Sequence, residues 1–353
     1  MSSRLKYNRP HLKRSCLIIL AFIVAFIRQM DLQAQDIHFS QFFAAPLLLN
    51  PANTGMSGRD IRVANIYRNQ WAKIGIPYET IITSVDKELN IAGRSFGIGG
   101  LFLHDQSSSY NLQADEFMLS ISYSTIVNNQ QFTFGLQPGF VFKSFDLEGL
   151  TFNSQFNQLS QFFDASMPSL ETGLDDRLKY LDLNAGIFWR TIIHNIIPSA
   201  GISVSHLNMP LQRFETSSAG KRLPLKFNFN GEVIIPVSSK INLKPNVLYS
   251  YTPGANEFLL GSVGDYLISW PNIPVTKLYA VMMCRLNPVR NIDAFILGGG
   301  AELKQFNLGL TYDFNISPLH RVTNFNGAFE VSLVYTGKNR EKNITSQPCY
   351  IIN

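Results

Sequence analysis

The sequence EFMLSISYSTIVNNQQFTFGLQPGFVF, residues 116–142, decides the fold class. In its first half, apolar or half-polar side chains occupy every second position from Phe117 to Val127. The polar triplet at 128–130 interrupts this alternation, which then resumes and continues to Phe142. Because successive side chains of a β-strand point to opposite faces, the pattern predicts two half-buried strands joined by a tight hairpin.

The same alternation recurs along the chain and predicts about fourteen strands. Periodicity alone does not tell a soluble sandwich from a membrane barrel, since either presents one apolar face. Many of the runs, such as 114–127, are longer than the ~5–6 residues typical of globular strands, and they are long enough for the ~9–11 that a tilted membrane strand needs. The opposite faces carry charges that suit a wet or internally paired lumen, namely Glu116, Asp182, Arg190, Lys226, Glu232, Lys244 and Asp313.

The N-terminus has the features of an export signal. Five basic residues within positions 1–14 precede an apolar run of 12 residues, Cys16–Ile27, and Ala34 provides a small residue before Gln35. The run is too short to span a bilayer as a helix, so we predict a secretory signal peptide at 1–34. Its removal would leave 24 basic and 24 acidic residues, and this balance gives no support for a nucleic-acid partner.

The chain is predicted to be exported, and it contains 27 Phe, 13 Tyr and only 16% charged residues. Together these features favour a transmembrane antiparallel β-barrel over a soluble domain. We predict the barrel over 60–337, an N-terminal segment at 35–59 that is periplasmic or packed in the lumen, and a periplasmic tail at 338–353. Outer-membrane barrels have short periplasmic turns and longer outer loops. The predicted connections mostly follow this alternation, although those near 253–255 and 287–290 are too short.

The sequence offers no convincing catalytic or cofactor-binding constellation, so we predict a non-enzymatic protein with no catalytic, cofactor or metal site. The histidines have no partners at metal-ligand spacing. The glycine-rich run Gly97–Gly100 lies inside a strand pattern, whereas a phosphate-binding loop would be followed by a helix. Two cysteines remain after the signal peptide, Cys284 and Cys349, and whether they pair is left open.

The longest predicted connection, 146–176, is rich in Phe, Asn, Gln and Ser. Its aromatic residues argue against a freely solvated loop. Two interpretations remain open: a cap folded over the barrel mouth, or a surface that grips a partner protein. In the second case the cargo-facing residues would be Phe152, Phe156, Phe162 and Phe163.

Residues 35–71 form the most specific motif, QDIHFSQFFAAPLLLNPANTGMSGRDIRVANIYRNQW. Together with LGLTYDFN at 308–315 and GAFEVSL at 327–333, it resembles the PorP/SprF family of Bacteroidetes outer-membrane proteins. The resemblance makes the motif residues candidate partner contacts. These are His38, Phe39, Gln41, Phe42, Pro46, Asn50, Pro51, Tyr67, Arg68, Asn69, Gln70 and Trp71.

The resemblance implies a role in type IX secretion and gliding motility, in which the barrel serves secretion or surface attachment of cargo proteins or adhesins. The implied partners are that cargo, periplasmic and outer-membrane components of the secretion system, and outer-membrane lipid. The alternative is a channel for uptake of small or apolar solutes. A lumen filled by residues 35–59 would count against the channel, and we expect this segment to pack against the barrel interior or its periplasmic rim.

Overall fold

The computed structural model describes residues 37–71, 77–107, 112–146, 152–157, 160–164, 166–168, 175–213, 220–269, 274–287, 291–318 and 320–337. The predicted signal peptide, the predicted tail, Cys349 and Trp270 lie outside these ranges. Within them, a helical segment at the N-terminus precedes a long series of antiparallel strands. No helix in these ranges is long and apolar enough to cross a bilayer.

Fourteen strands close into one antiparallel barrel, which confirms the predicted fold class. They are β1 (Arg62–Gln70), β2 (Tyr78–Ile91), β3 (Arg94–Ser107), β4 (Leu112–Val127), β5 (Gln130–Ser144), β8 (Arg177–Thr191), β9 (Ile197–Ser205), β12 (Lys226–Pro236), β13 (Ile241–Thr252), β14 (Ala255–Leu267), β15 (Val275–Asn287), β16 (Asn291–Leu303), β17 (Phe306–Asn315) and β18 (Asn326–Thr336). Two small hairpins lie in the connections, β6 (Phe156–Asn157) with β7 (Phe162–Phe163), and β10 (Leu211–Gln212) with β11 (Lys221–Arg222).

Each barrel strand pairs with the next barrel strand along the chain, and β18 pairs back with β1 to close the ring. This order follows from the short connections, because antiparallel neighbours need only a tight turn. The predicted hairpin is present, with β4 and β5 in register from Gln113↔Ser144 to Val127↔Gln130. Asn128 and Asn129 make the turn with positive φ angles of 50° and 62°, a conformation that asparagine tolerates better than most residues.

The outward face is the apolar one, as a membrane barrel requires. On β4 the side chains of Phe117, Leu119 and Ile121 are 51%, 70% and 58% exposed, whereas the alternating Ser120 and Ser122 are buried. The inward face is less polar than the sequence predicts. It includes buried apolar residues from several strands: Ile66, Ile82, Leu101, Leu103, Met118 and Val141.

The two ends of the barrel differ in the length of their connections. One end carries the long connections 145–176 and 206–225, and we term it the outer end because outer-membrane barrels place their long loops outside. The other, inner end carries tight turns such as 92–93 and 304–305. On the outer end, 253–254 and 288–290 are short, as the sequence indicates, so the rim is low beside β13–β16.

Residues 37–59, which we term the plug, occupy the lumen. The plug contains two 3-10 turns, Phe42–Ala44 and Pro51–Asn53, on either side of helix α1 (Pro46–Leu49). A second short helix, α2 (His320–Thr323), lies in the connection between β17 and β18. Trp71 directly follows β1, and Trp189 lies two residues before the end of β8, so these two tryptophans are near strand ends as the sequence predicts.

The wall approaches the plug most closely at strand glycines. A β-carbon at Gly135 of β5 would overlap the backbone of Pro51 and Ala52, whereas one at Gly264 of β14 would meet nothing within 4 Å. We therefore expect Gly135→Ala to lower the free energy of unfolding by about 1–3 kcal/mol, the usual cost of overpacking. The measurement is urea unfolding of the barrel in lipid vesicles, followed by tryptophan fluorescence.

Gly264→Ala is the matched control, since it adds the same methyl group to a strand of the same sheet without a clash. Its unfolding midpoint should stay at or slightly above that of the wild type. Equal midpoints for the two variants would contradict the close approach of plug and wall.

Candidate functional site

Short-range hydrogen bonds within the plug satisfy backbone polar groups that are buried in the lumen. Pro46 begins α1, where its missing N–H is not needed. The Asn50 side chain accepts a hydrogen bond from the Ala52 amide at 2.9 Å, and the Asn53 side chain donates to the Pro46 carbonyl at 3.0 Å. Since buried backbone polar groups must be paired, these short-range bonds explain why NPANTG can lie in a closed interior.

Apolar plug residues join opposite walls of the barrel. On one side, Phe39 and Leu47 pack into a buried cluster with residues of β1–β5. On the other, Phe42 packs into a second cluster with Leu248, Leu259, Val263, Tyr279, Val281, Met283 and Ile296 of β13–β16. Leu47 and Leu259 are fully buried. The lumen at this level is therefore a packed core and not an aqueous pore.

Five ionisable side chains form a charge cluster above this core, namely Arg68, Glu257, Arg285, Asp313 and Glu330, and all but the half-buried Glu257 are buried. Arg68 donates to Glu330 and, at 3.3 Å, to Asp313. Arg285 donates to Asp313 and Glu257, each at 2.8 Å. The cluster therefore connects β1, β14, β15, β17 and β18 across the lumen.

Plug residues complete the charge cluster. The Ser40 and Gln41 amides donate to the two carboxylate oxygens of Glu330 at 2.7 and 2.8 Å. The Ser40 hydroxyl donates to Asp313 at 2.7 Å and accepts from Arg285 at 2.6 Å. Because burying charges is costly unless every one is paired and hydrogen-bonded, the plug and the cluster depend on each other.

Two further contacts fix the lower part of the plug. The Asn50 side chain donates to the carbonyls of Ile187 and Ile202 at 3.1 and 3.3 Å, linking the plug to β8 and β9. Near the inner end, Asp86 accepts from Arg62 and from the Gly55 amide, the latter at 2.7 Å. Gly55 has a φ of +74°, which glycine adopts without strain.

Because side chains alternate along β1, the YRNQW motif at 67–71 presents residues on both the inward and the outward face of the wall. Arg68 points inward to the charge cluster, and Gln70 accepts from it at 3.2 Å. On the outward face, Tyr67 donates to Glu79 at 2.9 Å, and Asn69 donates to Tyr67 and Glu79. Trp71 packs edge-on against Tyr78, with ring centroids 5.4 Å apart.

The structure thus brings most of the predicted motif residues together inside the barrel. Beyond Arg68, those that are buried in the lumen are Phe39, Gln41, Phe42, Pro46, Asn50 and Pro51, while Asn69 is buried on the outward face of β1. Their contacts are with the barrel itself, so the N-terminal motif and the YRNQW motif recognise each other. Contact of any motif residue with a partner protein stays a prediction.

His38 lies at the outer end of the plug, beside a small polar cavity of about 40 Å³. The cavity is lined by residues of β12–β16, including Lys226, Glu257, Arg285 and Asp293. Burial, with Arg285 and Arg68 nearby, lowers the pKa of His38 to about 4, although the carboxylate of Glu257 opposes this shift. The imidazole is therefore neutral at physiological pH. The cavity has room for a few water molecules.

The predicted aromatic loop exposes three of its four phenylalanine rings in the part that the structure describes. Phe156 and Phe163 pair in the β6–β7 hairpin, with ring centroids 5.1 Å apart. Phe162 is 74% exposed, and both other rings are also exposed. Phe152 is half-buried at the start of the preceding turn. The hairpin presents an apolar surface at the outer end.

The sequence does not single out Ser40, Glu257 or Arg285 as members of the site. Asp313 is predicted only as a charge on the face opposite the apolar one, and Glu330 only as part of the motif at 327–333. Arg285 carries one usable signal. It continues the inward series Val281, Met283, Arg285, and a charge in such a buried series needs a partner. Among the described residues, no group of three or more His, Cys, Asp or Glu could hold a metal ion.

Removal of one member of the charge cluster should destabilise the barrel strongly. We expect Arg68→Met to lower the free energy of unfolding by about 3–5 kcal/mol, because Glu330 loses its buried cationic partner and Asp313 loses one of its two. Urea unfolding in lipid vesicles measures this change. Arg177→Met is the control, since Arg177 and Asp176 form an exposed pair at 3.9 Å, and such pairs contribute little. Similar losses in the two variants would contradict the structural importance of the cluster.

The family whose model matches this chain is described as the type IX secretion system membrane protein PorP/SprF, and the match covers residues 31–335. No curated protein matches the chain. Among solved structures, the monoaromatic hydrocarbon channel CymD shares 9% identity over 84% of this chain and 93% of its own, with a TM-score of 0.51. The Pseudomonas putida toluene transporter TodX shares 12% identity over 89% of this chain and 97% of its own, with a TM-score of 0.48. At these identities the likeness concerns the barrel fold alone.

Proposed function

Because the chain belongs to the PorP/SprF family of type IX secretion system membrane proteins, we propose that it is a non-enzymatic docking barrel of the type IX secretion and gliding machinery. In this role it serves the secretion or surface attachment of cargo proteins or adhesins that share a C-terminal domain. The proposal refines what family and fold establish, which is an outer-membrane barrel of this secretion system.

The observation that carries the proposal is the filled lumen. The plug is anchored to both walls by buried apolar clusters and to β18 by buried hydrogen bonds. A solute would have to displace this packed core to pass. A barrel closed in this way offers its partners only its outer loops, its inner turns and its lipid-facing wall. The channel alternative predicts a continuous aqueous path, which the packed lumen disfavours.

The β6–β7 hairpin is the best candidate for contact with cargo. Its exposed phenylalanines lie in the connection between β5 and β8, at the outer end of the barrel. Exposed aromatic side chains outside the bilayer are costly unless a partner covers them, and aromatic residues are enriched among the residues that dominate protein–protein affinity. We therefore assign the apolar hairpin surface to cargo or adhesin binding.

Deletion of the gene tests the overall role. We expect type IX cargo to remain inside the cell or to be shed into the medium, with uptake of small solutes unchanged, because the filled barrel carries protein partners and not solutes. Mass spectrometry of cell-surface and medium fractions measures the cargo, and uptake of a radiolabelled aromatic solute measures transport. Normal display of all such cargo, together with lost uptake, would favour the channel.

A loop variant tests the assigned surface. We expect Phe162→Ser with Phe163→Ser to reduce surface-held cargo several-fold while the barrel keeps its unfolding midpoint, since these exposed rings support no core contact. Val322→Ser is the control, because Val322 is 71% exposed on α2 at the same end of the barrel. Cargo display is measured by labelling intact cells. Equal display in the double variant and the wild type would remove the hairpin from the cargo-binding surface.

A further inference from the structure

The pairing of β1 with β18, which we term the seam, is the most demanding step in closing the barrel. Every other neighbouring pair of barrel strands is joined by a connection along the chain, but Arg68 and Glu330 are 262 positions apart. The entropic cost of closing a loop rises with its length. The seam is also short, since β1 has nine residues and β5, for comparison, has fifteen. The seam therefore needs a specific source of register and stability.

A charged pair marks the register of the seam. Arg68 and Glu330 are direct partners in the β1–β18 ladder, and their side chains meet on the lumen face. They are 3% and 1% exposed. A slip of one residue would turn one of these charges toward lipid, and a slip of two would separate them. Correct register alone, however, leaves the Glu330 carboxylate in need of further donors.

The plug supplies those donors. Successive amides of Ser40 and Gln41 bind the two carboxylate oxygens of Glu330. The Gln41 side chain continues along the same face: it donates to Thr311 of β17 at 3.2 Å and accepts from Ser332 of β18 at 2.7 Å. Both plug residues are fully buried. The hydrogen bonds of Ser40 and Gln41 to the wall are thus directed at the last two strands, at Arg68 of the first and at Arg285 of β15.

The plug's other polar anchor lies elsewhere on the wall. Asn50 is also fully buried, but its side chain donates to carbonyls of β8 and β9, which are separated from the seam by several strands on either side. Ser40–Gln41 and Asn50 therefore form two separable contacts of one segment, and a role specific to the seam can be told apart from general filling of the lumen.

We propose that the dipeptide Ser40–Gln41 is a built-in latch for barrel closure, which fixes the register of the seam by completing the Arg68–Glu330 pair from inside the lumen. The plug enters the lumen before or as β1 meets β18, and the seam closes around it. This inference concerns assembly of the barrel and does not depend on any secretion partner.

Cysteine pairs report closure of the seam in the full-length chain, with Cys16, Cys284 and Cys349 replaced by Ala. Asn65→Cys with Leu333→Cys places one cysteine on each side of the seam at ladder partners. Ile121→Cys with Leu136→Cys does the same in the β4–β5 hairpin, which forms locally. A short bifunctional thiol reagent is added at intervals during refolding into lipid vesicles, and the cross-linked fraction is read by gel mobility.

The Ser40→Ala, Gln41→Ala double variant keeps both amides but removes the side-chain hydrogen bonds of the dipeptide to Arg68, Arg285, Thr311, Asp313 and Ser332. We expect it to slow seam cross-linking by at least roughly tenfold, the factor that loss of one or two buried hydrogen bonds gives, with the hairpin pair unchanged. Asn50→Ala removes three side-chain hydrogen bonds, two to the wall and one within the plug, and should leave the seam rate within about twofold of the wild type. An unchanged seam rate in the double variant overturns the latch. Equal slowing by Asn50→Ala, or slowing of the hairpin pair as well, also overturns it. Either result would show that the plug speeds folding by filling the lumen in general and not by binding the seam.

Discussion

The buried Glu330 carboxylate is the group on which the arrangement of the lumen depends. It lies on the last strand, is paired with Arg68 of the first strand, and binds successive amides of the plug. A carboxylate without these donors would be very costly at this depth. Replacement of such a network by apolar residues can be neutral or even stabilising, so the value of the network is specificity. It allows one strand register and one position of the plug.

The plug also changes what the barrel can do. In a barrel with a water-filled lumen, the inward face is polar along its whole length. Here the inward face of β1–β5 carries apolar residues, and these are buried because they pack against Phe39 and Leu47 of the plug. The wall and the plug therefore form a single hydrophobic core inside the ring of strands, comparable to the core of a soluble domain. Such a core makes the barrel rigid and leaves only its surfaces for recognition.

Much of the architecture could be predicted from the sequence. Residues 116–142 identify the hairpin and its two faces, and the length of such runs separates a membrane barrel from a sandwich. The function of the N-terminal motif in the fold could not be predicted in the same way. Phe39, Phe42 and Leu47 are evidently anchors, but their partners are inward residues on strands far along the chain, such as Leu103 and Met283.

The charge cluster shows why side-chain alternation alone does not reveal whether the charges in the lumen are solvated or paired. Alternation places Asp313 on the inward face, where a wet lumen and a paired one look identical in sequence. The difference lies in Arg285 and Ser40, which are distant from Asp313 in the chain and adjacent to it in space. Closure of the ring then brings Arg68 of β1 beside Glu330 and Asp313. The pairing of these charges is thus a consequence of barrel geometry. The inward face, which looks solvated in the sequence, is buried in the closed barrel.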